Sequence, residues 1–193
     1  ALMDENDADG LAGIPLGEIL TRISADADGL AAGSTAAISL AFAAGLVESV
    51  ARTYLGEGSP ASLVAQAETV RDRAIDVAGR NRVDYARARA ALSGKTETDD
   101  LRLREALDST LENLGWIAGH AADLTMLAAQ LVGKVDPDRE PDLESAVCLA
   151  ESAARVSIKL ADANLLNSPA MPLLDEIAED LRIVVSTREK LDH

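Results

Sequence analysis

Aromatic residues are nearly missing from this chain: one Trp, one Phe and two Tyr among 193 residues. Strands draw heavily on β-branched and aromatic residues, so this shortage argues against an extensive β-sheet. Cys148 is the single cysteine, which excludes a disulfide within the chain. Positive charge is also scarce, with 18 Lys and Arg against 33 Asp and Glu and a net charge of −15. No Lys/Arg block is present, and nucleic acid and anionic membrane surfaces are disfavoured as partners. Neither of the two histidines follows a Glu by three residues, the spacing that bundle metal sites use, so no metal is expected. A Walker loop, a dinucleotide fingerprint, a Cys/His cluster and a Ser-nucleophile elbow are all missing. No signal-peptide pattern opens the chain, and a cytoplasmic location is expected.

What remains is a helical composition. Hydrophobic residues make up 48% of the chain, and Ala, the best helix former, dominates with the aliphatics. The stretch from Leu30 to Ala51 carries no charge up to Val47, and apolar or small residues fall on every side of its helical wheel. A helix of that kind is the centre of an all-helical domain or a membrane span. Its eighteen uncharged residues reach the minimum spanning length. Ser34, Thr35, Ser39 and two glycines dilute it, however, and no Lys/Arg cluster flanks it. The central-helix reading is preferred.

In chain order, Ala1 and Leu2 ahead of Met3 read as an added extension, and residues 1–13 as a disordered acidic leader. A single helical domain is expected over residues 14–193. Pro15 opens a short helix with an apolar face of Leu16, Ile19, Leu20 and Ile23. A loop over 24–33 leads to the central helix, with Ser34 or Thr35 as cap residues. A helix over about 61–92 has a stripe at Leu63, Ala67, Val70, Ala74, Val77, Asn81, Tyr85, Ala88 and Leu92. The next, over about 99–132, carries Leu103 through Leu131 on one face, with Gly115 and Gly119 as places to kink or thin it. Helices over about 142–166 and 170–191 complete an all-α bundle of five to six mostly long antiparallel helices.

Candidate chemistry lies in the exceptions to these stripes. His120 has Trp116 four residues before it and Asp123 three after, neighbours on a helix surface. The pair can do acid–base work, or His120 can be a half-buried residue satisfied locally. Cys148 reads as a small core residue. Asn81 and Asn164 are polar groups on apolar stripes, which cost free energy unless paired, either with each other and the backbone or with a ligand.

The order of motifs resembles the cyclodeaminase/cyclohydrolase family, which comprises methenyltetrahydrofolate cyclohydrolases and the cyclodeaminase domain of formiminotransferase-cyclodeaminase. Leu16-Gly-Glu-Ile-Leu20 stands where that family has L-x-E-F-L. Asp28 to Ala37 fills the place of its P-x-P-G-G-G-S-x-A-A loop, keeping Gly33, Ser34, Ala36 and Ala37. Val50 to Gly58 matches V-A-x-L-T-x-G-K-K, and Asn81 to Tyr85 matches D-x-x-A-F. Pro141-Asp142 and Leu160 to Asn164 correspond to the S-D and the closing N-V-x-I-N phrases. The likeness runs from about Ile14 to Leu191. It departs at Ala31 and Ala32 for two glycines, at Glu57 and Gly58 for the Lys pair, and at Asn81 for the Asp.

The resemblance implies an all-helical homodimer with a folate pocket near the dimer interface. It also implies ring chemistry on one-carbon tetrahydrofolates without a metal or bound cofactor: methenyl hydrolysis or formimino deamination. Asp142 would transfer the proton, with Gly33, Ser34, Asn81, Tyr85 and Asn164 around the ligand and His120 and Asp123 as auxiliaries. Asn81 cannot serve as a carboxylate base. The alternative is a member without the chemistry that keeps the dimeric bundle as a folate-binding or protein-interaction module.

Overall fold

The computed structural model describes residues 11–25, 29–57, 59–94, 96–165 and 171–191. Its helices are α1 (Leu16–Ser24), α2 (Ala32–Ala51), α3 (Ala61–Ser93), α4 (Glu97–Leu131), α5 (Glu140–Leu165) and α6 (Met171–Leu191). No strand occurs among the described residues. Short 3-10 turns precede α1, at Leu11–Gly13, and α5, at Pro137–Arg139. The expected leader is corrected at its end: Leu11 is buried and packs into the core, while residues 1–10 lie outside the described residues.

α2 lies between α3, α4 and α5, and α6 closes the far side against α4 and α5. Its core face, Ala37, Leu40, Ala44 and Val47, has no exposed surface. Small side chains there let neighbouring backbones approach closely, which an aromatic-poor core requires. By length and hydropathy α2 is the one described helix apolar enough to cross a membrane, but 61% of that window is buried inside the bundle.

The hairpin ends follow from local chemistry. Thr96 caps α4 with a reciprocal box: Asp99 N donates to Thr96 Oγ1 (3.2 Å) and Thr96 N to Asp99 Oδ2 (3.1 Å). Glu97, Asp99 and Asp100 place negative charge at the positive end of that helix. Gly133, at φ +67°, turns the chain after α4, a conformation only glycine adopts freely. α4 runs unbroken through Gly115 and Gly119. A side chain at Gly115 would meet Leu173 at 3.1 Å, so the glycines thin the helix where α6 crosses.

Several sequence expectations fail in detail. Leu16 and Leu20 are exposed, so α1 buries only Ile19 fully. Tyr85 and Leu92 also face outward, and Asp84 and Ala91 turn inward instead, while Ala88 is buried as the stripe predicts. A strict three-four spacing drifts around a 3.6-residue helix, and past Asn81 α3 outruns the start of α2 while α4 stays beside it. Cys148 is exposed, because α5 buries Val147 beside it. α2 begins at Ala32 after an Ala31 N-cap with no capping side chain, so Ser34 and Thr35 are not its caps.

Candidate functional site

The amino end of α2 holds three residues that the sequence singled out. Ser34 is fully buried and its Oγ donates to the Ala78 carbonyl of α3 (2.9 Å). Gly33 packs against the Asn81 side chain, and a Cβ there would lie 2.7 Å from Asn81 Nδ2. Asn81 is 3% exposed, and its Nδ2 has no hydrogen-bond partner. A buried, unpaired amide is uncommon in a folded protein and calls for an explanation. Next on α3 is Arg82, 7% exposed, with Nε likewise unpaired. Its carbonyl crowds Gly29, whose φ of +72° admits no side chain easily. A cavity of about 390 Å³ opens at this end of α2, lined by Ile23, Leu30, Ala32, Thr35, Ser39 and Ser152. That volume lies within the range of small-molecule pockets.

Two other expected residues lie toward the same end. Tyr85 is one turn beyond Asn81, at the surface, with the Arg89 guanidinium 5.8 Å from its ring. α5 runs antiparallel to α2, with Ala153 and Val156 beside Ala32 and Thr35. Asn164, half-buried, therefore sits past the amino end of α2.

Asp142 is elsewhere. It lies in the first turn of α5, where Arg139 Nε donates to its Oδ2 (2.8 Å), and the same arginine donates to Ser49 Oγ (2.9 Å). Ser49 is fifteen residues along α2 from Ser34, about 22 Å at 1.5 Å per residue. Asp142 is thus a surface ion-pair partner at the opposite end of the bundle, and it neither caps α5 nor meets the Gly33–Asn81 site. Glu57 is exposed beyond Leu55, and Gly58 lies outside the described residues.

His120 and Asp123 line a separate groove of about 560 Å³ between α3 and α4, with Gln66, Thr69 and Met126. The His120 ring stacks on Trp116 at 4.0 Å, and its Nδ1 lies 2.9 Å from the Trp116 carbonyl. A carbonyl only accepts, so Nδ1 carries a proton. Arg73 sits 5.8 Å over the Trp116 ring. Across on α6, burial and the charges of Asp123 and Glu176 raise the Asp180 carboxyl above its ordinary range, with His120 opposing them. From Val70 in this groove to Asn81 is eleven residues of α3, about 16 Å. His120 and Asp123 therefore form a second locus and do not join the first.

In shape, the whole bundle matches a known one. The crystal structure of formiminotetrahydrofolate cyclodeaminase from Thermotoga maritima superposes with a TM-score of 0.77, covering 93% of this chain and 92% of that one at 18% identity. The two chains share one fold. No protein-family model matches the sequence, and no curated protein matches it.

Sequence reasoning passed over the buried charges. Asp84, 5% exposed, accepts from Ser109 Oγ (2.6 Å) and Asn113 Nδ2 (3.1 Å) of α4. It borders a cavity of about 580 Å³ with Arg87, Arg102 and Glu105. Glu48 and Glu151, each 6% exposed, are held between two arginines: Arg52 and Arg71, and Arg155 and Arg188. The available signal was an acidic residue four before an Arg on an otherwise apolar helix. No group of His, Cys, Asp or Glu able to hold a metal occurs among the described residues.

Proposed function

We propose that this protein is a cytoplasmic homodimer that binds a one-carbon tetrahydrofolate at the amino end of α2 without turning it over. One observation carries the reading: the buried, unpartnered amide of Asn81 lodged against Gly33, in a fold shared with a folate cyclodeaminase. The described residues at this end offer hydrogen-bond donors, and a small cavity opens beside them between α2 and α5, with Gly33, Ser34 and Asn81 outside its lining. The nearby buried carboxylate, Asp84, is already engaged by Ser109 and Asn113, and Asp142 lies at the opposite end. A proton-transfer group within reach of the ligand is what acid–base catalysis requires.

Support for the dimer comes from α2 itself. Thr35, Ile38, Ser39, Phe42, Gly45, Leu46 and Ser49 repeat every seven residues on the outer, partly exposed face of the helix, and Phe42 is 51% exposed. A side chain at Gly45 would point into open space, so a twin helix can approach closely there. Light scattering should give the mass of a dimer at micromolar concentration, and Phe42→Glu should give a monomer.

Calorimetric titration with methenyl- and formyl-tetrahydrofolate tests the ligand. The reading expects saturable binding, weakened about tenfold or more by Asn81→Leu, and methenyl hydrolysis at the spontaneous rate. The enzyme reading keeps a place because of His120, which lines a groove beside Asp123. Turnover above the spontaneous rate, lost in His120→Gln and kept in Asp142→Asn, would establish it.

A further inference from the structure

We infer that the amino end of α2 is an oxyanion subsite, taking a carboxylate or phosphate group of the ligand on Asn81, Arg82 and the first backbone N–H groups of the helix. The inference rests on the reading above for where the ligand sits, and adds which part of it is held there.

The first turn of a helix leaves N–H groups without intrahelical acceptors. In α2 the first intrahelical bond is Thr35 N to Ala31 O (3.0 Å), which leaves Ala32, Gly33 and Ser34 as donors. Among the described residues nothing neutralises their positive end: Ala31 supplies no cap and no acid occupies the first turn. α4 shows the contrast, with its Thr96 box and three acidic residues. An uncapped helix start attracts anions.

Two buried side chains at this end want the same thing. Asn81 Nδ2 can only donate, and it has no acceptor at 3% exposure beside Gly33. Arg82, at 7% exposure, has an unpaired Nε and no carboxylate in ion-pair contact among the described residues. Its backbone lies against Gly29 in the loop entering α2. Elsewhere Arg52, Arg71, Arg155 and Arg188 all reach a buried glutamate. A buried Nε–H without an acceptor is costly, and an oxyanion supplies acceptors in the planar geometry a guanidinium fits. The unmet groups are all donors, which favours an anion over a cation or a purely apolar group.

The test is a titration of the ¹⁵N-labelled protein with inorganic phosphate and, separately, with L-glutamate. Sodium chloride at equal ionic strength is the control. Saturable shifts at the Gly33 and Ser34 amides are expected, abolished in Arg82→Met and kept in part in Arg82→Lys. Arg102→Gln, at a different cavity, should leave them intact. Shifts with glutamate alone assign a carboxylate, and with phosphate alone a phosphate. Shifts that chloride reproduces, or that survive Arg82→Met, overturn the subsite. If Arg82→Met does not fold, the wild-type and Arg82→Lys titrations still decide. Calorimetry with formyl-tetrahydrofolate separates the two readings. Folate binding unchanged in Arg82→Lys, with no anion shifts, sinks the subsite alone. Anion shifts without folate binding sink the folate ligand and leave the subsite standing.

Discussion

At its carboxyl end, α2 buries Glu48 between Arg52, one turn on, and Arg71 from α3. Arg139 reaches Ser49 there, and Leu55 N donates to the Lys134 carbonyl (2.7 Å), tying two loops together. At its amino end Asn81 and Arg82 of α3 each bury one unpaired nitrogen, and among the described residues no side chain caps the first turn. Both ends place polar groups under an apolar bundle, and only one satisfies them. Polar groups that are buried and paired fix the packing of helices. Groups left unpaired cost stability, so they point to a partner outside the described chain.

Breaking the open end sterically should have the largest effect. Gly33→Val would push a branched side chain into the Asn81 amide, whose atoms belong to a short, buried side chain with little room to move. Overpacking of this kind costs about 1–3 kcal/mol, and we expect the upper part of that range with folate binding lost. If the melting temperature is unchanged, Gly33 does not hold Asn81 in place.

The sharper comparison uses polar removal at each end. Glu48→Ala deletes an acceptor of charged hydrogen bonds and should destabilise by about 2 kcal/mol, or roughly 4–8 °C, because Arg52 and Arg71 can still reach water. Asn81→Leu removes a buried donor that has no acceptor and should leave the melting temperature level or slightly raised. Ligand binding should respond in reverse, lost in Asn81→Leu and kept in Glu48→Ala. Equal destabilisation by both, in thermal melts without ligand, would erase the distinction between the ends.

The architecture was legible because long apolar stripes need little more than a period to be read. The charge-free run of 30–47 reads as the central helix, and Asn81 stands out on its stripe as the polar interruption that the structure buries. The level at which helices meet was not legible. Asp142 looked like a site residue because it follows a loop, yet nothing local records that α5 begins beside Ser49, about 22 Å from Ser34. Periodicity misplaced Tyr85 for a related reason: α3 outruns the start of α2 at Asn81, so its face past that point is set by α4. Buried charges such as Arg82, Asp84 and Glu48 were passed over because composition treats every charge as surface.

The smallest effect expected here carries the same contrast into two carboxylates on neighbouring helices. Burial pushes Glu151 up, but hydrogen bonds from Arg188 and Arg155 outweigh it and hold the carboxyl below its ordinary 4.5. A lowered folded-state value contributes stability above the ordinary one, and that stability is lost as pH falls through the lowered value. Asp180 has no such clamp; burial and the charges of Asp123 and Glu176 raise it above 3.8. Its contribution has the opposite sign, present below about 3.8 and lost as pH rises through the raised value. Glu151→Gln should therefore lower the melting temperature at neutral pH, by an amount that shrinks on acidification below 4.5. Asp180→Asn should raise it at neutral pH, by about 1–2 °C given the partial exposure of the site, and should lose that gain in acid. Melts of the two variants across pH 3–7 should then diverge from wild type in opposite directions as pH rises. If the two curves move together, the paired and unpaired carboxylates are not distinguished by their partners, and the same doubt passes to Glu48 and Arg82.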